Sequence, residues 1–93
     1  MNNRRRGKDF ERWLAKDLGG RRIGLLGQED VIIDKYRAEC KERKKLPMFI
    51  KKCMAQAISN CRDAIPIVIL HELNSNHNDD LVIMRYADWK EIK

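Results

Sequence analysis

Apolar residues recur at helical spacing along the first stretch of the chain. Phe10, Trp13, Leu14 and Leu18 stand at i, i+3, i+4 and i+8, one face of a 3.6-residue period. The stripe predicts an amphipathic helix over about residues 5–18, stopped by Gly19-Gly20. Glu11 lies beside the stripe, so its carboxylate is expected at the edge of the core, able to point into a cleft. Residues 21–29 show no clean period. There Gly24 and Gly27 bracket Leu25-Leu26, which suggests a short strand followed by a glycine loop.

Asp30-Val31-Ile32-Ile33 predicts a strand, Asp34-Lys35 a tight turn, and residues 36–41 the next strand. Its alternation is clean: Tyr36, Ala38 and Cys40 share one face, Arg37, Glu39 and Lys41 the other. A second helix is expected over about residues 47–61, with Pro47 suited to its first turn. Ile50, Cys53, Met54, Ala57, Ile58 and Cys61 form its apolar stripe, while Lys51, Lys52, Gln56 and Ser59 occupy the rest. Residues 65–70 are a continuous apolar run rich in β-branched residues, as in a strand covered on both faces. Residues 74–79 read as a loop and residues 81–86 as a final strand. The order α-β-β-β-α-β-β describes one α/β domain over residues 1–93, a mixed β-sheet flanked by helices.

Length and charge sharpen this picture. A chain of 93 residues buries a modest core, which an assembly partner would help to stabilise. No apolar run is long enough to cross a bilayer, and the basic start is not followed by the apolar stretch of a signal peptide. A soluble, intracellular (cytoplasmic) protein is therefore expected. Cys40, Cys53 and Cys61 lack C-x-x-C spacing, which favours reduced, packed thiols over zinc. A net charge of +6 with pI near 9.5 suits a partner made of phosphates. The expected DNA contacts are Arg4, Arg5, Arg6 and Lys8, then Arg21 and Arg22, Lys44 and Lys45, and Lys51 and Lys52. Such contacts give salt-sensitive affinity without base choice. No basic stretch has the strong apolar face of a membrane-surface helix.

The candidate chemistry is a set of acids and one lysine. If residues 30–33 and 36–41 form a hairpin across Asp34-Lys35, Asp30 lies near Glu39 or Lys41. Magnesium takes oxygen ligands, commonly one or two carboxylates with waters and phosphate oxygens. Asp30 and Glu39 can supply those carboxylates, with Glu11 contributing directly or through water. Phosphodiester hydrolysis needs an activated water and charge stabilisation at the phosphate, both within the reach of a bound metal. Lys41, about 7 Å along the strand from Glu39, can reach the same space with its ammonium.

Gly7-x-x-Phe10-Glu11, then Asp30, then Glu39-Cys40-Lys41, resembles the PD-(D/E)XK nuclease superfamily, most of all the archaeal and phage type of Holliday junction resolvase. The likeness extends over nearly the whole chain. It implies a restriction-endonuclease-like fold, a metal-dependent DNA endonuclease using Mg2+ (Mn2+ as a substitute), and a homodimer cutting branched DNA in pairs. It further implies metal binding at Asp30, Glu39 and the Cys40 carbonyl, catalysis by Lys41, and assistance from Glu11. Glu29 stands where the superfamily usually has proline. No serine occurs between Gly19 and Asp30, where resolvases usually carry one. The resemblance thus speaks for a nuclease more than for a resolvase. A general nicking or restriction-like nuclease, and a non-catalytic DNA-binding module on the same fold, are the competing readings. His77 reads as a solvated loop residue, His71 as a strand end that is packed or at the sheet edge, Gln56 as a surface residue, and Tyr86 and Trp89 as covering core or an interface. The Asp79-Asp80 pair lacks calcium-loop spacing.

Overall fold

The computed structural model describes the backbone of residues 3–25 and 28–93 and the side chains of residues 8–23 and 31–93. Its elements are α1 (Asn3–Leu18), β1 (Arg21–Leu25), β2 (Gln28–Ile33), β3 (Tyr36–Glu39), α2 (Met48–Asn60), β4 (Ile67–Leu70), a 3-10 turn (His77–Asp79), β5 (Leu81–Met84) and α3 (Tyr86–Ile92). The class is α/β. The chain forms two compact units, Met1–Lys44 and Lys45–Lys93, and each carries an antiparallel sheet, β1-β2-β3 and β4-β5. The element order alone had suggested one mixed sheet. The pairings described are all between strands adjacent in sequence, which close shorter loops than a crossover would.

In the first unit α1 covers one face of the sheet. Glu11, Leu14 and Ala15 are buried, with Phe10 and Leu18 half-buried. Trp13 is 52% exposed, so the covered stripe is rotated from the expected one and centres on Glu11 rather than on the indole. The helix ends as expected: Gly19 takes φ 68° and the Gly20 N–H donates to the Ala15 carbonyl at 2.8 Å. A left-handed residue followed by this bond is the usual glycine stop. Gly20 is also required for close approach, because a Cβ there would lie 2.5 Å from the Ile32 carbonyl oxygen and 2.6 Å from Ile33 Cγ1.

The sheet register follows from the two-residue turn at Asp34-Lys35, where Asp34 takes φ 51°, a left-handed conformation that a short polar side chain tolerates. Ile33 then pairs with Tyr36, Val31 with Ala38, and Asp30 with Glu39. Among the described side chains of the sheet, Val31 and Ile33 are fully buried, at 0% and 2% exposure. Tyr36 and Ala38 are half-buried, Arg37 and Glu39 exposed, which is the alternation read from the sequence. The last paired residue of β3 is Glu39, two short of expectation; Cys40 (half-buried) and Lys41 (exposed) continue the alternation beyond it. β1 forms as anticipated, whereas Leu26-Gly27, expected in a glycine loop, lie outside the described residues.

In the second unit Pro47 is the N-cap of α2 rather than a first-turn residue, and its carbonyl accepts from the Lys51 N–H at 3.2 Å. Ile50, Cys53, Met54 and Ala57 are half-buried, while Ile58 is exposed. The expectation that residues 65–70 are covered on both faces is corrected. Val68 and Leu70 are half-buried, but Ile67 and Ile69 are exposed within this unit. A continuous apolar run does not by itself distinguish these two situations. The last strand stops at Met84 and not at Tyr86, because Arg85 caps α3. Its guanidinium donates to Asp88 Oδ2 at 3.0 Å, and the Tyr86 and Trp89 rings meet one turn apart with centroids 6.2 Å apart. Cys40, Cys53 and Cys61 are thiols outside any disulfide, each half-buried. Among the described residues, no helix is long and apolar enough to cross a membrane.

Candidate functional site

The β2–β3 hairpin supplies the geometry on which the candidate site rests. Asp30 and Glu39 are direct Cα partners across the two strands, and directly opposed positions of an antiparallel pair share a face. That face lies away from α1, since Val31, next to Asp30, is wholly buried beneath the helix side of the sheet. Glu39 is exposed, and Lys41 folds back to place Nζ 3.5 Å from Glu39 Oε1. Two residues of alternation bring the ammonium and the carboxylate to one side. The side chain of Asp30 lies outside the described residues.

The donor set at positions 30 and 39 is oxygen only, with the Cys40 carbonyl as the adjoining main-chain oxygen. Such a set fits Mg2+, which takes one or two carboxylates and completes its shell with water and phosphate oxygens. Histidine and thiolate ligands, which would favour zinc, are absent from these register positions.

Glu11 does not join this pair. It is 3% exposed and accepts from Arg22 Nε at 3.1 Å. Arg22 pairs with Val31, which puts the Glu11–Arg22 bridge on the helix-covered face, opposite the face of positions 30 and 39. Glu11, expected to assist the metal, is thus placed in a buried ion pair with Arg22. Helical spacing alone placed it at the edge of the stripe; the arginine on β1 draws it to the centre. Arg22, expected at phosphate, has its guanidinium engaged with Glu11 for the same reason.

The remaining cations divide by position. Arg21 and Arg37 are exposed and flank Ile32 in one cross-strand row, on the same face as positions 30 and 39. Arg37 was not among the expected phosphate contacts, although its place in the Arg37-x-Glu39-x-Lys41 alternation marked it. Lys44 and Lys45 are exposed in the segment after β3, and Lys51 and Lys52 on α2; Lys8 is half-buried on α1. Arg4, Arg5 and Arg6 belong to the first turns of α1, and their side chains lie outside the described residues. Gln56 is exposed on α2, away from its half-buried stripe. Comparisons with protein-family models, curated proteins and solved structures give no match to this chain.

Proposed function

We propose that this chain is a metal-dependent, structure-selective DNA endonuclease of restriction-endonuclease-like fold, acting on four-way junctions as a homodimer. The observation that supports the reading is the hairpin register, which sets Asp30 opposite Glu39 with Lys41 on the Glu39 carboxylate. Asp30, Glu39 and the Cys40 carbonyl would hold Mg2+ or, in its place, Mn2+. An ion bound there lowers the pKa of its water and acts as a Lewis acid toward phosphate. Glu39 also orients Lys41. The Lys41 ammonium neutralises charge on the phosphate or holds the attacking water in line. Arg21 and Arg37 contribute phosphate affinity on the same face, without reading bases. The Glu11–Arg22 bridge holds α1 against the sheet and so supports β2 from behind. Two copies would supply the two centres that paired cutting of a junction requires.

The test is a panel of four-way junction, flap, nicked and linear duplex DNA with Mg2+ or Mn2+, comparing the native chain with Lys41→Ala. The expected result is junction-selective cleavage that falls about a hundredfold or more in the variant, as for loss of a preorganised charge partner. Normal cleavage by Lys41→Ala would exclude the assigned role. Equal cleavage of all four substrates would favour a general nicking enzyme. Junction binding without cleavage in either metal would favour a non-catalytic binding module.

A further inference from the structure

The loop between β4 and β5 gathers side chains that the nuclease reading leaves unused. Leu70 pairs with Leu81, so His71, just after β4, and Asp80, just before β5, emerge side by side. Between them, residues His77–Asp79 form a single 3-10 turn. The turn begins where Asn76 Oδ1 accepts from the Asn78 N–H at 2.9 Å and closes where the Asp80 N–H donates to the His77 carbonyl at 3.1 Å. Three-residue spacing on that turn brings His77 back over Asp80. The sequence showed two histidines six residues apart, which is no recognised ligand spacing; only the hairpin makes them neighbours.

The result is a compact three-residue cluster. His71 Nδ1 lies 2.6 Å from Asp80 Oδ1 and His77 Nδ1 lies 3.0 Å from Asp80 Oδ2. The two imidazoles stack with centroids 4.0 Å apart and planes inclined by 25°. One ligand atom from each of the three residues falls within 4.8 Å of the other two. Zinc binds nitrogen and carboxylate oxygen at about 2.0–2.2 Å, which separates tetrahedral ligand atoms by a little over 3 Å, so small side-chain rotations close the site around an ion. Each Nδ1 shares a hydrogen bond with an Asp80 carboxylate oxygen, the imidazole's part in it set by its tautomer. A neutral imidazole frees Nδ1 for a metal by carrying its hydrogen on Nε2 instead, with no net gain or loss of a proton.

We propose that His71, His77 and Asp80 form a binding site for a divalent transition metal of the zinc type. Two imidazoles and one carboxylate are a ligand set that zinc accepts and magnesium or calcium does not favour. Three protein ligands leave a fourth position open. A cleft of about 590 Å3 opens beside the cluster, and Glu72 and Asp79 among its lining residues add negative charge that attracts a cation. An ion held there would tie the end of β4 to the start of β5 and fix the loop between them. This site shares no residue with Asp30 and Glu39, and its existence does not depend on the chain being a nuclease.

The full-length chain titrated with Zn2+ alone, and with Co2+ for its visible absorption, tests this. One ion per chain is expected, with amide and imidazole NMR signals shifting over residues 70–81. Mg2+ should leave those signals in place. His77 is 80% exposed, so His77→Ala should fold normally while weakening Zn2+ binding about tenfold or more, at least the loss seen when a supporting ligand contact is removed. Asp80→Asn should weaken it likewise. Zn2+ shifts confined to residues near Cys53 and Cys61 or to Asp30 and Glu39, or affinity unchanged in His77→Ala, would overturn the proposal. Absence of any binding at millimolar Zn2+ would overturn it too, leaving the cluster a hydrogen-bonded clamp.

Discussion

Neutralising either end of the Glu11–Arg22 bridge should destabilise the first unit unequally. The two side chains differ sharply in their access to water: Glu11 is 4% exposed and Arg22 26%. When Glu11 becomes glutamine, the Arg22 guanidinium can turn toward solvent and the amide oxygen can still accept, so the loss falls at the low end for a charged hydrogen bond, about 1.5 kcal/mol. When Arg22 becomes methionine, the carboxylate stays buried and loses the Arg22 guanidinium from among its partners. Breaking buried pairs costs roughly 3–5 kcal/mol; the partial exposure of Arg22 lowers the expectation here to about 2–4 kcal/mol. A Glu11→Leu/Arg22→Met pair removes both charges and should cost less than the sum of the single changes, with a coupling of about 1–3 kcal/mol. Each unit holds one tryptophan, Trp13 in the first and Trp89 in the second. A Trp89→Phe background therefore makes Trp13 fluorescence in urea a specific reporter of the first unit. Midpoints should shift without a change in m-value. Equal costs for Glu11→Gln and Arg22→Met, or strictly additive single changes, would refute the reasoning that burial governs the pair.

Two further changes probe the packing. Gly20→Ala should cost about 1–3 kcal/mol through overpacking, because its Cβ would press on the Ile32 backbone and on Ile33. Gly19→Ala meets nothing within 4 Å and should lose only the left-handed penalty of about 1–2 kcal/mol; urea midpoints of the two variants give the comparison. Ile33→Ala, at a position 2% exposed, should cost about 2–5 kcal/mol. Ile69→Ala, at a position 59% exposed, should cost under about 1 kcal/mol, and an equal loss in both would show that Ile69 is covered in solution.

Local patterns in the sequence conveyed more than the tertiary ones. The β2–β3 hairpin, its turn and the alternation from Tyr36 to Lys41 were legible because period two and a polar turn are properties of neighbouring residues. The glycine stop after α1 was legible for the same reason. The burial of Glu11 was not, since it depends on Arg22 arriving from the next strand. Nor was the end of β5, where a seven-residue helix carries too few apolar positions to set a period against the preceding strand. The exposure of Ile67 and Ile69 escaped because an apolar run states what its residues prefer and not what is present to cover them. His71, His77 and Asp80 were individually visible, but only the register of β4 with β5 joins them.

The same dependence on register governs the candidate site on the hairpin. Asp30 and Val31 are adjacent, and in a strand adjacent residues face opposite ways. A slip of one residue against β3 would turn Val31 and Ile33 out of the core and carry position 30 to the helix side. Burial of those two side chains is worth several kcal/mol at about 25 cal/mol per Å2, so the core itself resists that slip. The turn resists it as well, since Asp34 must take the left-handed conformation and Lys35 need not. Hydrophobic burial on one face therefore fixes which positions belong to the other. The pairing of position 30 with position 39 is a consequence of packing Val31 and Ile33, and any chemistry at Asp30, Glu39 and Lys41 is held in place by residues that never touch it.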